Sequence, residues 1–383
     1  MPTPKLSELL GQSATAAYLR GIVAGGRFAN AYLFHGPPGV GKGTAALAFA
    51  RALLCEHRRE TPGLGDACGT CPACLTSGVL QHPDLKFVFP VSGEEKELDG
   101  IVQETLEKLR TDPLHVFQYD KAASIRISMT RELLRELAFK PYEADRRVVV
   151  VRDADRMRED QYSALLKTIE EPGTTVWVLT TSRPARLPAT IRSRCQGVRF
   201  AILSEAVIGG VLMEQAGIGE TESRVLAALA SGSLARALML RDLDPREIRN
   251  QALALLEPAL RGDAVGLWNA VQGFTKFGKA GRESLRRVIE FHQLWLRDLL
   301  RASCGAPRER LVNRDREAEI RAQAANLSAT EIRRRLMVLE EVLRAIEGNV
   351  SADLALFSGA ARLAGRRLGE GAWPAHATTR WDY

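Results

Sequence analysis

The stretch VVVVRDADRMREDQYSALLKTIEEP, Val148 to Pro172, decides the fold. Its four consecutive valines are apolar, β-branched and bounded by charge, which reads as a strand buried on both faces inside a parallel sheet. Open α/β sheets place ligands at the carboxyl ends of such strands. Enzymes that hydrolyse nucleoside triphosphates at such a strand end carry an Asp there to help hold magnesium, often followed by a Glu that polarises the attacking water. Here the two positions are Arg152 and Asp153. A guanidinium has donors only and stays charged. Beside a divalent cation it would be repelled by roughly several kcal/mol at an effective dielectric near 20.

Downstream of the valines, Tyr162, Leu165, Leu166 and Ile169 recur at i, i+3, i+4 and i+7, the spacing of a helix, with Asp160 as its expected cap and Pro172 as its end. Val176 to Thr180 (VWVLT) reads as a further buried strand, leaving Thr181 and Ser182 at its carboxyl end. Upstream, the apolar run Ala31 to Phe34 leads into GPPGVGKGT, followed by an Ala- and Leu-rich helix from Ala45 to Leu54. Strand, glycine loop and helix are the context of a phosphate-binding loop, so Gly36, Pro37, Pro38, Gly39, Val40, Gly41, Lys42, Gly43 and Thr44 are candidate contacts for ATP or ADP. The residue after the loop lysine should be Ser or Thr, whose hydroxyl touches magnesium, and it is Gly43. A loop with both magnesium contacts altered is expected to bind nucleotide without hydrolysing it, or to persist as a turn that binds nothing.

Cys55, Cys68, Cys71 and Cys74 follow at once, spaced C-x12-C-x2-C-x2-C. Two Cys-x-x-Cys turns joined to a thiol at a helix end predict a closed tetrahedral zinc site that folds the insertion; a redox pair or an iron–sulfur cluster is the alternative. His57 and His82 are expected at the surface and superfluous as ligands, and Cys195 as a packed thiol rather than a nucleophile.

The chain has 383 residues, 45% of them hydrophobic, and a net charge of +7, enough for two or three domains. The positive charge is spread evenly, with no polybasic run, so contact with nucleic acid is permitted but a tight, autonomous DNA binder is not indicated. No segment approaches the roughly 18 apolar residues of a membrane span, and the first residues lack the apolar core of a signal peptide. A cytoplasmic location without membrane contact is expected, with the cysteines as thiols or metal ligands.

Elsewhere, Leu6 to Leu19 reads as a short helix broken near Gly11, residues 91 to 113 as an acid-rich solvated excursion, Ile125 to Ile127 as a strand, and Thr130 as the N-cap of a helix reaching Phe139. LPATIRSRC, Leu187 to Cys195, brings Arg192 and Arg194 next to Arg186 with no carboxylate among them, a set suited to solvation or to phosphate recognition. Ala201 to Leu240 should form short helices broken at Gly209-Gly210 and Gly217 to Gly219. Beyond it, Leu285, Val288, Ile289, Leu296, Leu299 and Leu300 mark one helical stripe. Ile332, Leu336, Leu339, Leu343 and Ile346 mark another, after a capping box from Ser328 to Glu331. Gly369 to Tyr383 has no pattern and reads as a loose tail.

Taken together, GPPGVGK, the four cysteines, HPD at His82 to Asp84, SALLKTIEEPG and LPATIRSRC resemble the clamp-loader subunits of bacterial DNA polymerase III, within the AAA+ superfamily. The resemblance is specific over roughly residues 6 to 200. It implies an α/β fold: a P-loop AAA+ parallel sheet flanked by helices over 1–200 with a zinc-knuckle insertion at 55–74, a helical lid domain over 201–243, a helical collar domain over 244–366 and a flexible tail over 367–383. Family members divide into delta-prime stators and gamma/tau motors. Gly43, Arg152-Asp153 and Ala235 in GSLARAL, where motors carry a nucleotide-reaching arginine, depart from the motor pattern. The resemblance is therefore to the stator type. It implies that Arg194, in Ser193-Arg194-Cys195, acts in trans as an arginine finger on ATP bound by a neighbouring subunit. The implied partners are gamma/tau and delta subunits in a hetero-pentamer, the sliding clamp and, through the complex, primed DNA. An active gamma/tau-type motor is the alternative. A small phosphotransferase, whose loop GPPGVGKGT also resembles, leaves the cysteines, SALLKTIEEP and the helical half unexplained.

Overall fold

A computed structural model describes residues 3–58, 65–93, 95–112, 115–117, 123–241, 247–248, 250–252, 254, 264–275, 278–347 and 350–363. The expected tail at 369–383 lies outside them. The described residues form two compact units, those within 1–208 and 232–239 and those within 209–231 and 240–363.

The first unit is built on a parallel sheet of β1 (Ala31–His35), β2 (Leu85–Val88), β3 (Arg147–Val151), β4 (Thr175–Thr181) and β5 (Gln196–Arg199), in the order β2-β3-β4-β1-β5. The valine run forms β3, entirely buried, with Val149 opposite Trp177 of β4 and Val150 opposite Phe87 of β2. Pleating sends alternate residues to opposite faces. Tyr32, Phe34, Val148, Val150, Val176 and Val178 join the core under α1 (Ser13–Gly25) and α2 (Lys42–Leu54). Ala31, Leu33, Val149, Val151, Trp177 and Leu179 join the other core, with Leu133 of α5 (Ile127–Leu137) and Tyr162, Leu165 and Ile169 of α6 (Glu159–Glu170). Both faces are covered, which is why the central strands β1, β3 and β4 carry apolar runs.

Several local expectations are corrected. The acid-rich stretch holds a helix, α4 (Leu98–Thr111), whose Leu98, Ile101, Val102 and Leu106 pack on Phe89, Val91 and Phe117. Ile125 to Ile127 is no strand: Ile125 is buried in a loop, and Ile127 opens α5. Thr130 therefore lies inside α5 rather than capping it. Asp160 lies within the first turn of α6, and the backbone N–H of Arg158 instead donates to Gln161 Oε1 (2.8 Å). Gln161 is buried, and its amide donates to Ile125 O, Arg126 O and Thr130 Oγ1 at 3.2, 3.1 and 2.7 Å. One side chain thereby joins the starts of both helices. His82 is buried, not at the surface: its Nδ1 accepts from the Asp84 N–H (3.0 Å), and burial holds its pKa below the ordinary value. His57 is exposed.

In the second unit, Gly209 and Gly210 lie inside the helix Glu205–Glu214 instead of breaking it. Gly209 O accepts from Ser223 Oγ (2.8 Å), joining that helix to Glu220–Leu229. Helix Gly278–Ser303 packs against Glu317–Ala325 and Ala329–Glu347. The stripes expected there are its inner faces: Leu285, Val288, Ile289, Leu296 and Leu299 on the first, Ile332, Leu339 and Ile346 on the last, are buried. Ser328 Oγ accepts from the Glu331 N–H (3.1 Å), the expected cap. Asp298 is fully buried and accepts from Val312 N, Asn313 N and Asn313 Nδ2. Among the described residues no helix is long and apolar enough to cross a membrane.

Candidate functional site

The glycine loop joins β1 to α2, at the carboxyl end of the sheet, between the ends of β4 and β5 that flank β1. Gly36, at φ +151°, lies against β5's continuation: a Cβ there would stand 2.3 Å from Phe200 O. Gly39 and Gly41 take φ of +73° and +91°, values that glycine adopts at little cost. A Cβ on Gly39 would stand 2.0 Å from Ser233 Oγ and 2.9 Å from Ala235 Cβ, and Gly39 O accepts from the Ala235 N–H (3.3 Å). The GSLARAL segment therefore seats itself on the loop, with Ala235 at the contact. From below, the amide of buried Gln12 donates to Val40 O (3.3 Å) and Ala201 O (2.9 Å).

Lys42 is buried and turned back on its own loop. Its Nζ donates to Gly36 O (2.9 Å), Pro37 O (2.5 Å) and Ser182 Oγ (2.9 Å), one acceptor for each N–H of an ammonium. Burial pulls its pKa down to about 8, with Asp153 opposing and Arg152 reinforcing that fall. Ser182 thus holds the loop lysine from the end of β4. Thr181 Oγ1 donates to Asp155 Oδ1 (2.6 Å) and accepts from the Arg183 N–H (2.9 Å).

Arg152 follows β3 and points at the helix start. A Cβ on Gly43 would lie 2.4 Å from its Nη1. The guanidinium stacks on Phe117, 3.8 Å from the ring centroid, and its Nε is 3.6 Å from Asp153 Oδ2. Asp153 sits in the left-handed region at φ +47°, its N–H donating to Thr180 Oγ1 (3.0 Å). The two altered positions, far apart in the chain, thus occupy one place, filled by an organic cation held on an aromatic ring. These residues do not fit a magnesium ion. Phe117 carried no sequence signal, because its role appears only when its ring meets Arg152 at the end of β3, 35 positions further along the chain.

The four cysteines converge. Their sulfurs all lie within 4.8 Å of one another, and Cys68 Sγ is 3.8 Å from Cys74 Sγ; four thiolates about 2.3 Å from one zinc stand about 3.8 Å apart. Backbone N–H groups point at sulfur as well: Cys68 N to Cys55 Sγ (3.3 Å), Thr70 N and Cys71 N to Cys68 Sγ (3.4 and 3.3 Å), Cys74 N to Cys71 Sγ (3.4 Å). Such donors favour thiolate. The donor set fits a structural zinc with all four positions taken. His57 Nδ1 lies 3.9 Å from Cys68 Sγ, outside the four. The module is sewn to its surroundings: Asp66 accepts from Leu6 N and Ser7 N (2.9 Å each), and buried Arg51 Nε donates to the O of Cys74 in the short helix α3 (Pro72–Gly78) at 3.1 Å.

Ser193 and Arg194 follow the short helix α7 (Ala189–Arg192). Arg194 is well exposed, and it is not without a carboxylate as its loop implied: Nε–H donates to Oε1 of Glu170, the last residue of α6 (2.5 Å). Nη1 donates to Thr190 O (3.0 Å) and Ser193 Oγ (3.4 Å). Cys195 is partly buried, and burial pushes its thiol up to about 12, unsuited to attack. The HPD motif is a staple: Asp84, fully buried, accepts from Tyr142 N, Glu143 N and Ala144 N at 2.6, 2.8 and 2.9 Å.

A family model described as DNA polymerase III, delta subunit, matches residues 11–204. The chain is 28% identical over 246 residues to DNA polymerase III subunit tau of Bacillus subtilis, covering 62% of this chain and 37% of that protein. It is 33% identical over 174 residues to DNA polymerase III subunit delta' of Pseudomonas aeruginosa, covering 45% and 43%. With subunit delta' of Bacillus subtilis it shares 25% identity over 330 residues, covering 85% and 88%. The chain thus spans less than half the length of the first two of these relatives.

Proposed function

This chain belongs to the DNA polymerase III delta-subunit family, and from that premise we propose that it is a clamp-loader subunit of AAA+ type, a stator of the delta-prime type. It supports the loading of a sliding clamp on primed DNA in a cytoplasmic hetero-pentamer with gamma/tau and delta subunits. Its own glycine loop holds ATP or ADP without hydrolysis, the residues being Gly36, Pro37, Pro38, Gly39, Val40, Gly41, Lys42, Gly43 and Thr44. Arg194, flanked by Ser193, serves in trans as the finger for a neighbour's ATP, because a planar, permanently charged donor is suited to the charge developing on a transferred phosphoryl group. A structural zinc on Cys55, Cys68, Cys71 and Cys74 holds the insertion. The division into a nucleotide-fold domain at 1–200, a lid at 201–243, a collar at 244–366 and a tail at 367–383 belongs to the same reading.

The observation that carries it is the filled metal seat: Arg152 Nη1 stands where a side chain on Gly43 would begin. Identity to a tau subunit over 246 residues supports the second reading, an active motor. Steady-state ATP turnover separates them. The stator reading expects no magnesium-dependent turnover from the isolated chain, and undiminished turnover of a reconstituted loader when Lys42→Ala is introduced here. In the same loader Arg194→Ala should lower turnover by about 10-fold or more. Turnover by the chain alone at the rate of a loader motor would establish the second reading.

A further inference from the structure

Arg194 and Glu170 come from the two most distinctive motifs of the chain, SRC and SALLKTIEEP, and meet at 2.5 Å. Glu170 ends α6, whose buried Tyr162, Leu165 and Ile169 fix it to the sheet, whereas Arg194 follows a helix of a single turn. Their side chains are 40% and 47% exposed, so the pair adds little to stability. What it supplies is direction. Glu170 holds the Nε edge, while Thr190 O and Ser193 Oγ hold Nη1. Three contacts on two sides leave a long, rotamer-rich side chain with one orientation, and less freedom to lose when it meets a phosphate.

We propose that Glu170 is a positioning residue for Arg194, pre-orienting the guanidinium for the polyphosphate of a nucleotide presented by a neighbouring subunit. The proposal rests on the finger reading above. It requires an acceptor at Glu170 but not a negative charge, since a carboxamide oxygen can take the same Nε–H. It also excludes the opposite role, a latch that keeps the finger away from nucleotide: a latch would make its removal activating.

The test uses the reconstituted loader with Glu170→Ala, Glu170→Gln and Arg194→Ala chains, each first shown to melt and assemble like the native chain. Glu170→Ala should lower kcat for ATP roughly 3- to 10-fold, the span one orienting hydrogen bond supplies, with KM nearly unchanged, and Glu170→Gln should recover most of it. Full activity in Glu170→Ala while Arg194→Ala is impaired overturns the positioning role alone. Higher activity in Glu170→Ala also overturns it, in favour of the latch. Full activity in Arg194→Ala overturns the finger reading itself.

Discussion

The guanidinium of Arg152 stands 2.4 Å from the point at which a Cβ on Gly43 would begin. Neither residue is an isolated departure from a magnesium-binding loop. A side chain at 43 would run into the far end of Arg152 and displace it, and the guanidinium now lies in the space that glycine leaves. Phe117 keeps the cation in that space by stacking on it.

Sequential repair should therefore fail and paired repair succeed. Gly43→Thr alone is expected to leave nucleotide binding insensitive to magnesium, because the guanidinium is merely pushed aside. Gly43→Thr with Arg152→Asp removes the collision and the repulsion, about 4 kcal/mol for two unit like charges 4 Å apart at an effective dielectric near 20. Titration of a fluorescent nucleotide with and without EDTA measures the difference. Strong magnesium dependence in the native chain would refute the account.

Lys42 gives a pH signature. Its folded pKa of about 8 lies below the value of 10.5 for an unperturbed lysine, with burial as the leading cause. Between those two values the unfolded chain holds a proton that the folded chain has released, so stability rises with pH across that window. Lys42→Met should flatten the rise, by a few kcal/mol at most. Urea melts at about pH 7.5 and pH 9.5 on both proteins compare the slopes, and equal slopes would refute the shift.

The zinc reading predicts about one zinc per chain in native protein and its loss in Cys71→Ser or on chelation. Asp66 accepts from Leu6 N and Ser7 N and also from the Ala67 N–H. Metal loss should therefore free the N-terminal segment and raise amide exchange at Leu6 and Ser7 as well as in the module. Native protein without zinc by elemental analysis, or exchange confined to residues 65–74, would count against it.

What is legible in the sequence depends on the range of each interaction. The valine strand, the glycine loop and the cysteine spacing are local patterns, and each stands where its period and flanking residues put it. The helix Leu98–Thr111 was hidden because its apolar positions are set among many acids. Thr130 and Asp160 are good capping types, yet buried Gln161 organises both helix starts. Arg152 with Phe117 and Arg194 with Glu170 are contacts across 35 and 24 positions, made by tertiary folding that no short window contains. The HPD motif was legible as a marker and not as a mechanism, because Asp84's partners lie 58 to 60 residues away.

That last contact makes a stability prediction. Burial alone would raise the pKa of Asp84, but the N–H groups of Ala144, Glu143 and Tyr142 outweigh it and bring it below 3.8. A carboxylate depressed in the folded state stabilises the fold above its unfolded pKa and loses that effect as pH falls through the folded one. Asp84→Ala leaves three N–H donors at the entry to β3 without their acceptor, at a cost of about 3 kcal/mol or more near neutral pH. Asp84→Asn keeps one acceptor oxygen and should cost less. In acid melts the native chain should lose its advantage over Asp84→Asn below about pH 4. An unchanged gap down to about pH 2 would show that the carboxylate is not the group that holds this loop.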